Sequence, residues 1–524
     1  MKISKYILLT FLCGFIAVGC TDDFEEINSD PHAYNDLDPG IQLAKVQLDL
    51  SGKREEVWRY DLGICSPMVQ HLGGSWWTQH GGQYRIVEKE HWYSLWENTY
   101  PRDLKNIQNL IDRTLDDPEN INIHSAARIL RVYIYSRLTD LYGDIPYSQA
   151  IKGFTDGILL PRYDNQQEIY IDFFKELAEA NNAFDNNRSD VSGDLFFEGN
   201  VDKWRKFGNS LRLRLGFRLL KVDPTEAQKQ VEAAIAGGVM ESNEDICMMR
   251  HSAISFLADE NRGNGRSQVF HASPNSEGFR LTRTFVDHMT NTGDPRLRIY
   301  GGTYLADGTD ISEHLMIGIT PGAMWWNEWS DFGDLFDAEN NYVAYVPHGV
   351  KHVQPSRYVS ALDAPFFHMT YAEVELLMAE AAVRGWGTAN VEAHYQSALD
   401  AALKHVSHYP GSPTLSQTTI DDFIAANPLP PDDEGKIRVI NEQMWVNFFL
   451  NGAEAYSNWR RTGYPELAPF TSVEWYSSGT GGIVPRRFFY PEFEAQNNPE
   501  NYTDAVGRLG GTDDWLKRVW WDVE

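Results

Sequence analysis

Cysteine is scarce in this sequence, and the few cysteines have no spacing typical of a metal site. Cys13 and Cys20 lie in the first twenty residues, whereas Cys65 and Cys247 stand alone in the remainder of the chain. No Cys-x-x-Cys pair and no Cys/His ligand spacing is present, which argues against a zinc site. Cys65 and Cys247 are therefore predicted to be buried free thiols rather than a disulfide.

Positive charge is also in short supply. The 524 residues include 46 Lys and Arg against 74 Asp and Glu, so the formal net charge is −28. Proteins that bind nucleic acid need clustered basic side chains for the phosphates, so this deficit argues against a nucleic-acid partner. It also argues against electrostatic adhesion to anionic lipid, and it fits a neutral or cationic ligand.

The common sequence motifs of catalysis are missing. The chain has no His-Glu-x-x-His, no Gly-x-Ser-x-Gly, no P-loop and no glycine-rich turn of the dinucleotide-binding type. Carboxylates are so abundant that a glycosidase-like acid/base pair cannot be recognised by counting. The acidic loop at residues 185–194 has oxygen ligands that calcium could use, although a solvated loop is the simpler interpretation. No cofactor is predicted, and a structural calcium stays open.

The first forty residues have the character of an export and anchoring segment. Residues 1–19 combine two early lysines with an apolar run at Tyr6–Val18 that is too short to span a bilayer, as in a secretory signal peptide. Cys20 closes this run at a lipobox-like end and is the predicted lipidation site. Residues 20–40 are acidic and polar, which predicts a tether between a lipid anchor and the folded domain.

Residues 41–524 are predicted to form a single, mainly α-helical domain. The clearest helix is at Ile121–Leu141, where apolar residues recur every three or four positions before Gly143 stops the pattern. The early helices come in pairs at intervals of roughly 35 to 40 residues, close to the spacing of tetratricopeptide helical hairpins. Further helices are predicted at about 41–60, 88–115, 165–184, 201–221, 225–236, 371–385, 391–407, 417–426 and 436–451.

Two stretches lack this periodicity. Between about 240 and 370, and again between about 465 and 524, Gly, Pro, Asn, Asp and Ser are frequent, and only a short helix near 280–291 is predicted. The helical frame is thus predicted at about 41–240 and 370–465. Long ordered loops in a compact protein are usually functional or packed as Ω-loops, so loops are where a ligand site is expected.

Aromatic residues are concentrated in three loops, SWWTQHGGQY, PGAMWWNEWSDFGD and VEWYSSGTGG, where glycine and polar residues flank the rings. Exposed rings on loops stack on the C–H faces of sugars while polar neighbours bind the hydroxyl groups. The alternative is that the rings fill gaps between the loops and the helical frame. Adjacent side chains on an extended backbone point apart, so at most one ring of each adjacent pair is expected to face a ligand. The candidate ligand-binding residues are Trp76, Trp77, Tyr84, Trp325, Trp326, Asn327, Trp329, Trp475 and Tyr476.

Other residues are predicted to serve packing. Glu454, Arg460 and Arg461 lie close together in sequence and are predicted to form an ion-pair network that fixes the C-terminal helix. Five tryptophans fall at helical spacing among apolar residues and are assigned to the core: Trp92, Trp96, Trp204, Trp445 and Trp459.

Four stretches resemble one known family when taken together and in order. They are RLTDLYGDIPYSQA (137–150), VDKWRKFGNSLRLRLGFRL (201–219), MTYAEVELLMAEAAVRGW (369–386) and NEQMWVNFFLNGAEAYSNWRRTGYPEL (441–467). They resemble the SusD/RagB family of Bacteroidetes outer-membrane lipoproteins, in its SusD-like-2 branch. The lipobox and the acidic tether are similar to that branch as well, so the resemblance covers essentially the whole chain.

The resemblance implies a fold, a function and a partner. It implies a tetratricopeptide-like scaffold with loop-rich inserts, and a non-catalytic lipoprotein of the cell surface that binds an oligosaccharide. It also implies delivery of that ligand to a SusC-like TonB-dependent transporter in the outer membrane. Ligand-binding residues vary within this family, so the aromatic candidates above rest on their loop positions alone. A peptide-binding member of the same import system is the alternative, followed by a secreted glycosidase.

Overall fold

The computed structural model describes most of the chain after the predicted tether: residues 37–255, 258–259, 262–271, 278–328, 330–471 and 476–524. The predicted signal peptide and Cys20 lie outside the described residues. Helices make up most of the regular structure in the described part, which confirms the predicted mainly α class.

Helices follow one another closely along both halves of the chain. The N-terminal helices are α1 (Pro39–Leu50), α2 (Arg54–Val57), α3 (Ser66–Met68), α4 (Gln79–Gly82), α5 (Glu90–Asn98), α6 (Lys105–Thr114), α7 (Ile121–Tyr142), α8 (Gln166–Ala183), α9 (Val201–Arg218) and α10 (Pro224–Gly237). The later helices are α11 (Gly265–His271), α12 (Arg283–Asn291), α13 (Leu297–Tyr300), α14 (Tyr371–Arg384), α15 (Val391–His405), α16 (Gln417–Ala426), α17 (Asp433–Asn447), α18 (Gly452–Thr462), α19 (Glu492–Asn497) and α20 (Pro499–Arg508). Shorter 3₁₀ turns occupy Trp76–Thr78, Pro118–Asn120, Asn243–Asp245 and Val406–His408, and π-helical turns occupy Trp58–Cys65 and Thr99–Leu104.

Local signals explain the helices that were predicted well. Helix α7 ends at Gly143, whose φ of +83° is costly for residues with a Cβ. Helix α14 begins after Thr370, whose hydroxyl oxygen accepts a hydrogen bond from the N–H of Glu373 (3.2 Å). It ends at Gly385 in the left-handed conformation. Local sequence therefore defines both ends of α14 and the C-terminal end of α7.

Predicted and observed helices differ where the chain bends. The segment predicted at 88–115 is interrupted by the π-helical turn Thr99–Leu104, which contains Pro101. Helices α19 and α20 were not predicted. Both are short and largely exposed, so their sequences have few apolar positions from which a period could be recognised.

Consecutive helices pack as hairpins, as the tetratricopeptide-like spacing indicates. Helix α7 packs against α8, α9 against α10, and α14 against α15. Helix α14 also contacts α9 and α17, so the N-terminal and C-terminal hairpins share one hydrophobic core. None of the helices in the described residues is long and apolar enough to cross a membrane.

The ion pairs of α18 connect it to other helices, which corrects the predicted local network. Glu454 pairs with Arg218 on α9 (2.6 Å), and Arg461 forms two hydrogen bonds with Glu380 on α14 (2.7 and 2.8 Å). Arg460 donates instead to the backbone carbonyl of residue 486 (2.9 Å). All five side chains are buried, so Glu454 and Arg461 need opposite charges, and these come from neighbouring helices.

The predicted packing residues largely occupy the core. Trp92, Trp96, Trp204 and Trp445 are buried, whereas Trp459 is half-buried and stacks on Tyr456. Cys65 and Cys247 are buried free thiols, as predicted.

The acidic loop at residues 185–194 is held by protein hydrogen bonds. Asp194 is buried, and its carboxylate accepts bonds from Gln47 Nε2 (2.6 Å), from Trp204 Nε1 (2.9 Å) and from three backbone N–H groups. These donors use the lone pairs that a calcium ion would need, so Asp194 acts as a structural acceptor.

Strands occur as short antiparallel pairs on the helical frame. The pairs are β1 (Leu72–Gly73) with β5 (Arg280–Leu281), β2 (Ile145–Pro146) with β3 (Tyr163–Asp164), β4 (Cys247–Met249) with β10 (Phe366–Met369), β6 (Gly301–Gly302) with β9 (Gln354–Pro355), and β7 (Gly333–Phe336) with β8 (Tyr342–Val346). Pairs β1–β5 and β7–β8 position the loops discussed next.

Candidate functional site

The three aromatic loops predicted from the sequence meet in the structure. Gln83, in the first loop, donates from Nε2 to the carbonyl of Gly322 in the second loop, 239 residues away (2.8 Å). The backbone N–H of Gly479, in the third loop, donates to the carbonyl of Gln83 (3.0 Å). One surface is therefore built from three distant parts of the chain.

Strand β1 brings the first loop against the second. Directly after β1, the N–H of Gly74 donates to the carbonyl of Ala323 (3.0 Å), and the N–H of Trp325 donates to the carbonyl of Gly74 (2.8 Å). Gly74 has a φ of +84°, and a Cβ at this position would lie 2.6 Å from the carbonyl oxygen of Gly278. The backbone conformation at position 74 and its close approach to Gly278 thus require glycine.

Trp76 and Trp77 lie on a 3₁₀ turn rather than on an extended segment. Ser75 Oγ accepts from the N–H of Trp77 (3.4 Å), and Gln79 Nε2 donates to the carbonyl of Trp76 (2.9 Å). Successive side chains on such a turn diverge by about 120° because it has 3 residues per turn. The two adjacent rings therefore point apart, as predicted, although the backbone is helical.

Trp76 and Trp326 form an exposed pair of rings, which we call the indole pair. Their ring centroids lie 6.1 Å apart and their planes are inclined by 23°, an offset parallel arrangement. Trp76 is 48% exposed, and Trp326 is partly exposed. Two rings from separate loops thus create one aromatic surface open to solvent.

The neighbours of the indole pair in sequence turn inward and anchor the loops. Trp77 packs edge-on against Trp58, with centroids 4.3 Å apart. Trp325 packs against the small apolar cluster beneath the loop, and its ring stands 5.5 Å from that of Trp326 at 86°. Its indole also fills the space beside Gly278, where a Cβ would approach it to 2.8 Å. Trp77 and Trp325 therefore serve mainly as supports.

Four further candidates are placed differently or lie outside the described residues. Tyr84 and Tyr476 are buried and both pack against Phe470, with ring centroids 5.8 and 6.0 Å from it, so neither presents a free ring face to a ligand. Burial also raises the pKa of Tyr84 to about 12. Neither tyrosine can contact a ligand, because both are buried where the loops meet. Trp329 and Trp475 lie outside the described residues.

Asn327 holds the turn that carries the indole pair. Its Oδ1 accepts a hydrogen bond from the N–H of Met324 (2.9 Å), and its own N–H donates to the carbonyl of Met324 (2.8 Å). The side chain of Asn327 therefore stabilises the backbone of the loop.

Two carboxylates near the indole pair in sequence are kept ionised. Burial would raise the pKa of Glu328, but hydrogen bonds from His352 (2.9 Å) and from the N–H of Thr320 (3.2 Å) outweigh it and lower that pKa to about 2. A hydrogen bond from the hydroxyl of Tyr345 (2.5 Å) lowers the pKa of Asp331. Both groups are therefore hydrogen-bond acceptors at neutral pH and not proton donors.

Sequence reasoning missed a set of aromatic residues next to this loop. Phe332 is exposed directly before β7, and hairpin β7–β8 exposes Phe336, Tyr342 and Tyr345. The run YVAYV at residues 342–346 is rich in the aromatic and β-branched residues that favour strands, and that signal could have located the hairpin.

The surface combines exposed rings with ionised carboxylates from the loop that carries Trp326. Within the ranges that the structure describes, no group of three His, Cys, Asp or Glu side chains is placed to hold a metal ion. Exposed rings and hydrogen-bond acceptors on one loop can take the C–H faces and the hydroxyl groups of a sugar.

Comparison with known proteins agrees with the fold. The sequence profile of the SusD-like_2 family, described as starch-binding and associating with the outer membrane, matches residues 35–491. No curated protein matches the chain. The helical hairpins with loop-rich inserts place the chain among tetratricopeptide-like binding scaffolds. The chain belongs to the SusD-like_2 family, which confirms the resemblance noted in the sequence.

Several solved structures are similar over nearly the whole chain. A chitin-binding protein is 36% identical, with 93% of this chain and 100% of that chain covered and a TM-score of 0.80. A SusD-like protein described as Bacteroidetes AC2a is 31% identical, with the same coverage and a TM-score of 0.84. A chitin-binding SusD homolog from Flavobacterium johnsoniae is 22% identical, covers 93% of this chain and 98% of its own, and has a TM-score of 0.69, so it supports the fold alone.

Proposed function

We propose that this protein binds oligosaccharides at the indole pair. The observation that carries the proposal is the meeting of Trp76 and Trp326 from separate loops in one exposed aromatic surface. Ring faces carry partial negative charge and attract the C–H groups of a sugar. The ionised carboxylates of Glu328 and Asp331, from the loop that carries Trp326, provide acceptors for hydroxyl groups.

Chito-oligosaccharides are the first ligand class to test. The proposal is supported by the 36% identity with a chitin-binding protein. An N-acetyl group adds a methyl that packs on a ring and an amide N–H that donates to a carboxylate. The sugars are neutral, so the net charge of −28 does not oppose their binding.

The proposal includes no catalytic step. A glycosidase requires one carboxyl group that stays protonated near neutral pH, beside a second that is ionised. The pKa of Glu328 is about 2 and that of Asp331 is lowered, so neither fits the role of general acid. Ligand binding and release are the expected events at this surface.

Delivery to a transporter is the second part of the proposal. The protein is held at the cell surface by lipid on Cys20 and passes its ligand to a SusC-like TonB-dependent transporter in the outer membrane. The family description, which includes association with the outer membrane, supports this part. So does an exposed apolar ridge at Phe154, Leu159 and Leu160, because surfaces of this kind are usually covered by a protein or membrane partner.

Isothermal titration calorimetry with N-acetylglucosamine oligomers of two to six units tests the binding proposal. We expect binding of the oligomers by the wild-type protein and weaker binding by Trp326→Ala. Peptides of matched length serve as the control for the alternative import role. Binding of peptides but not of sugars would refute the glycan proposal, and release of reducing sugar from the oligomers would refute the non-catalytic role.

Gentle solubilisation of outer membranes tests the transporter proposal. Affinity purification of the lipidated protein is expected to recover a large outer-membrane barrel, and Phe154→Asp is expected to reduce that recovery. Recovery of the protein alone, with and without the substitution, would contradict a stable complex. Labelling with radioactive palmitate, with Cys20→Ser as the control, tests the anchor separately.

A further inference from the structure

Hairpin β7–β8 has a small hydrophobic core of its own beneath one face. Leu335 on β7 and Ala344 on β8 lie opposite each other and are buried. Together with Val346 they pack against Ile311 and Leu315, separately from the main core. The inner face of the hairpin is thus fully used in holding it on the loop-rich part of the protein.

The outer face of the hairpin is aromatic and uncovered within the described residues. Asp334 and Tyr345 lie opposite each other, next to the inward pair in the register. A bulge between Leu335 and Phe336 then restores the alternation, so that Phe336 and Tyr342 form the next outward pair, with ring centroids 5.9 Å apart. Phe336, Tyr342 and Tyr345 are 47%, 60% and 49% exposed.

This outer face begins next to the loop that carries the indole pair. Asp331 lies between them in sequence and accepts the hydroxyl hydrogen bond of Tyr345 (2.5 Å). Beyond the end of β8, Gly349 lies near the ring of Trp325, which a Cβ at this glycine would meet at 3.6 Å. The Trp325 ring in turn stands 5.5 Å from that of Trp326. The base of the hairpin therefore adjoins the loop that carries the indole pair.

We infer that the outer face of hairpin β7–β8 is an extension subsite that binds the distal units of the same glycan chain. The inference rests on the proposed function, and it adds that the preferred ligand is longer than a disaccharide. The five residues of β8 span about 17 Å, so a sugar chain must run beyond the indole pair to reach Phe336 and Tyr342. Phenol hydroxyl groups and the carboxylate of Asp334 offer polar partners beside the rings, as a sugar requires.

The side chains on this face favour a sugar over a protein surface. The apolar ridge at Phe154 includes the exposed aliphatic side chains of Leu159 and Leu160, whereas the large apolar groups on the hairpin face are all aromatic. A second copy of the chain is disfavoured because Asp331 and Asp334 would face the same charges on the other copy, each copy carrying a net −28.

Calorimetric titration with the N-acetylglucosamine dimer and hexamer tests the extension subsite. The test variant is Phe336→Thr combined with Tyr342→Thr, which removes both rings but keeps residues that favour strands. We expect it to bind the hexamer about tenfold more weakly and the dimer as the wild type does. Trp326→Ala is expected to weaken both, and Ile171→Ala, at an exposed apolar side chain on α8, is the matched control.

The outcomes separate this inference from the proposed function. Unchanged hexamer binding by the double variant, with weakened binding by Trp326→Ala, overturns the extension and leaves the indole pair as the site. Equal weakening of dimer and hexamer binding by the double variant also overturns the inference, because the dimer is too short to reach an extension subsite. A wild-type protein that binds neither oligomer overturns both proposals. Should the double variant unfold, Tyr342→Thr alone is compared on the same two ligands, with a hexamer-specific loss again expected.

Discussion

Truncation of Trp76 is the most direct perturbation of the proposed site. The side chain is 48% exposed on the surface of the indole pair. A tryptophan has up to about 250 Å² of surface to bury, so about 100 Å² of this one is open to a ligand. A sugar that covers half to all of this area gains about 1.3 to 2.5 kcal/mol at about 25 cal/mol per Å². The entropy lost on association is the same for the wild type and the variant, so the difference between their binding free energies measures the lost contact.

The expected result is a Kd for the N-acetylglucosamine hexamer that rises roughly 10- to 70-fold in Trp76→Ala. Calorimetry at 25 °C on the wild type and the variant measures it directly. Trp76→Tyr keeps an aromatic face and is expected to recover most of the affinity. The ring is half exposed, so the thermal midpoint of Trp76→Ala is expected to stay within a few degrees of the wild type.

A Kd within twofold of the wild type in Trp76→Ala would refute the reasoning. In that case the Trp76 ring makes no contact that contributes to affinity, and the aromatic surface is not the sugar-binding site. A large fall in the thermal midpoint would instead mean that Trp76 supports the loop, as its inward neighbour Trp77 does through Trp58.

Three further predictions concern the frame and its charges. Glu380→Gln is expected to lower the free energy of unfolding by about 3 kcal/mol in urea titrations, because it leaves the buried guanidinium of Arg461 without its anionic partner, and an unchanged midpoint would contradict that. The lowered pKa of Glu328 stabilises the fold above pH 4.5 and ceases to do so as the pH falls toward 2, so thermal stability should depend less on pH across that window in Glu328→Gln. Burial raises the pKa of the Cys65 and Cys247 thiols, so neither should react with a thiol reagent until denaturation exposes both of them. Rapid labelling of either thiol in the native protein would contradict their burial.

The helical frame could be predicted because its signals are local. Helix α7 coincides with the predicted segment to within one residue at its C-terminus, since apolar spacing and Gly143 are both read along the chain. The partners of Glu454 could not be predicted in the same way. The partner of a charge on a buried helix face comes from the helix that packs against it. For Glu454 that partner is Arg218, 236 residues away in the sequence.

The candidate site was predictable in part. The aromatic loops were recognisable from composition, and the divergence of Trp76 from Trp77 and of Trp325 from Trp326 follows from backbone geometry. Burial of Tyr84 was not recognisable, because it results from contact with Phe470 in a loop almost 400 residues away in sequence. The hairpin face was missed because its outward rings align only after the bulge.

The sequence by itself determined the mainly α class, the family and the existence of aromatic loops, since periodicity, motif order and composition are properties of the chain. Only the tertiary structure decided which rings form a surface. Trp76 and Trp326 are 250 positions apart in the sequence, and they meet because the backbone of Gly74 exchanges hydrogen bonds with Ala323 and Trp325. That contact depends on long-range packing, which no local pattern in the chain records.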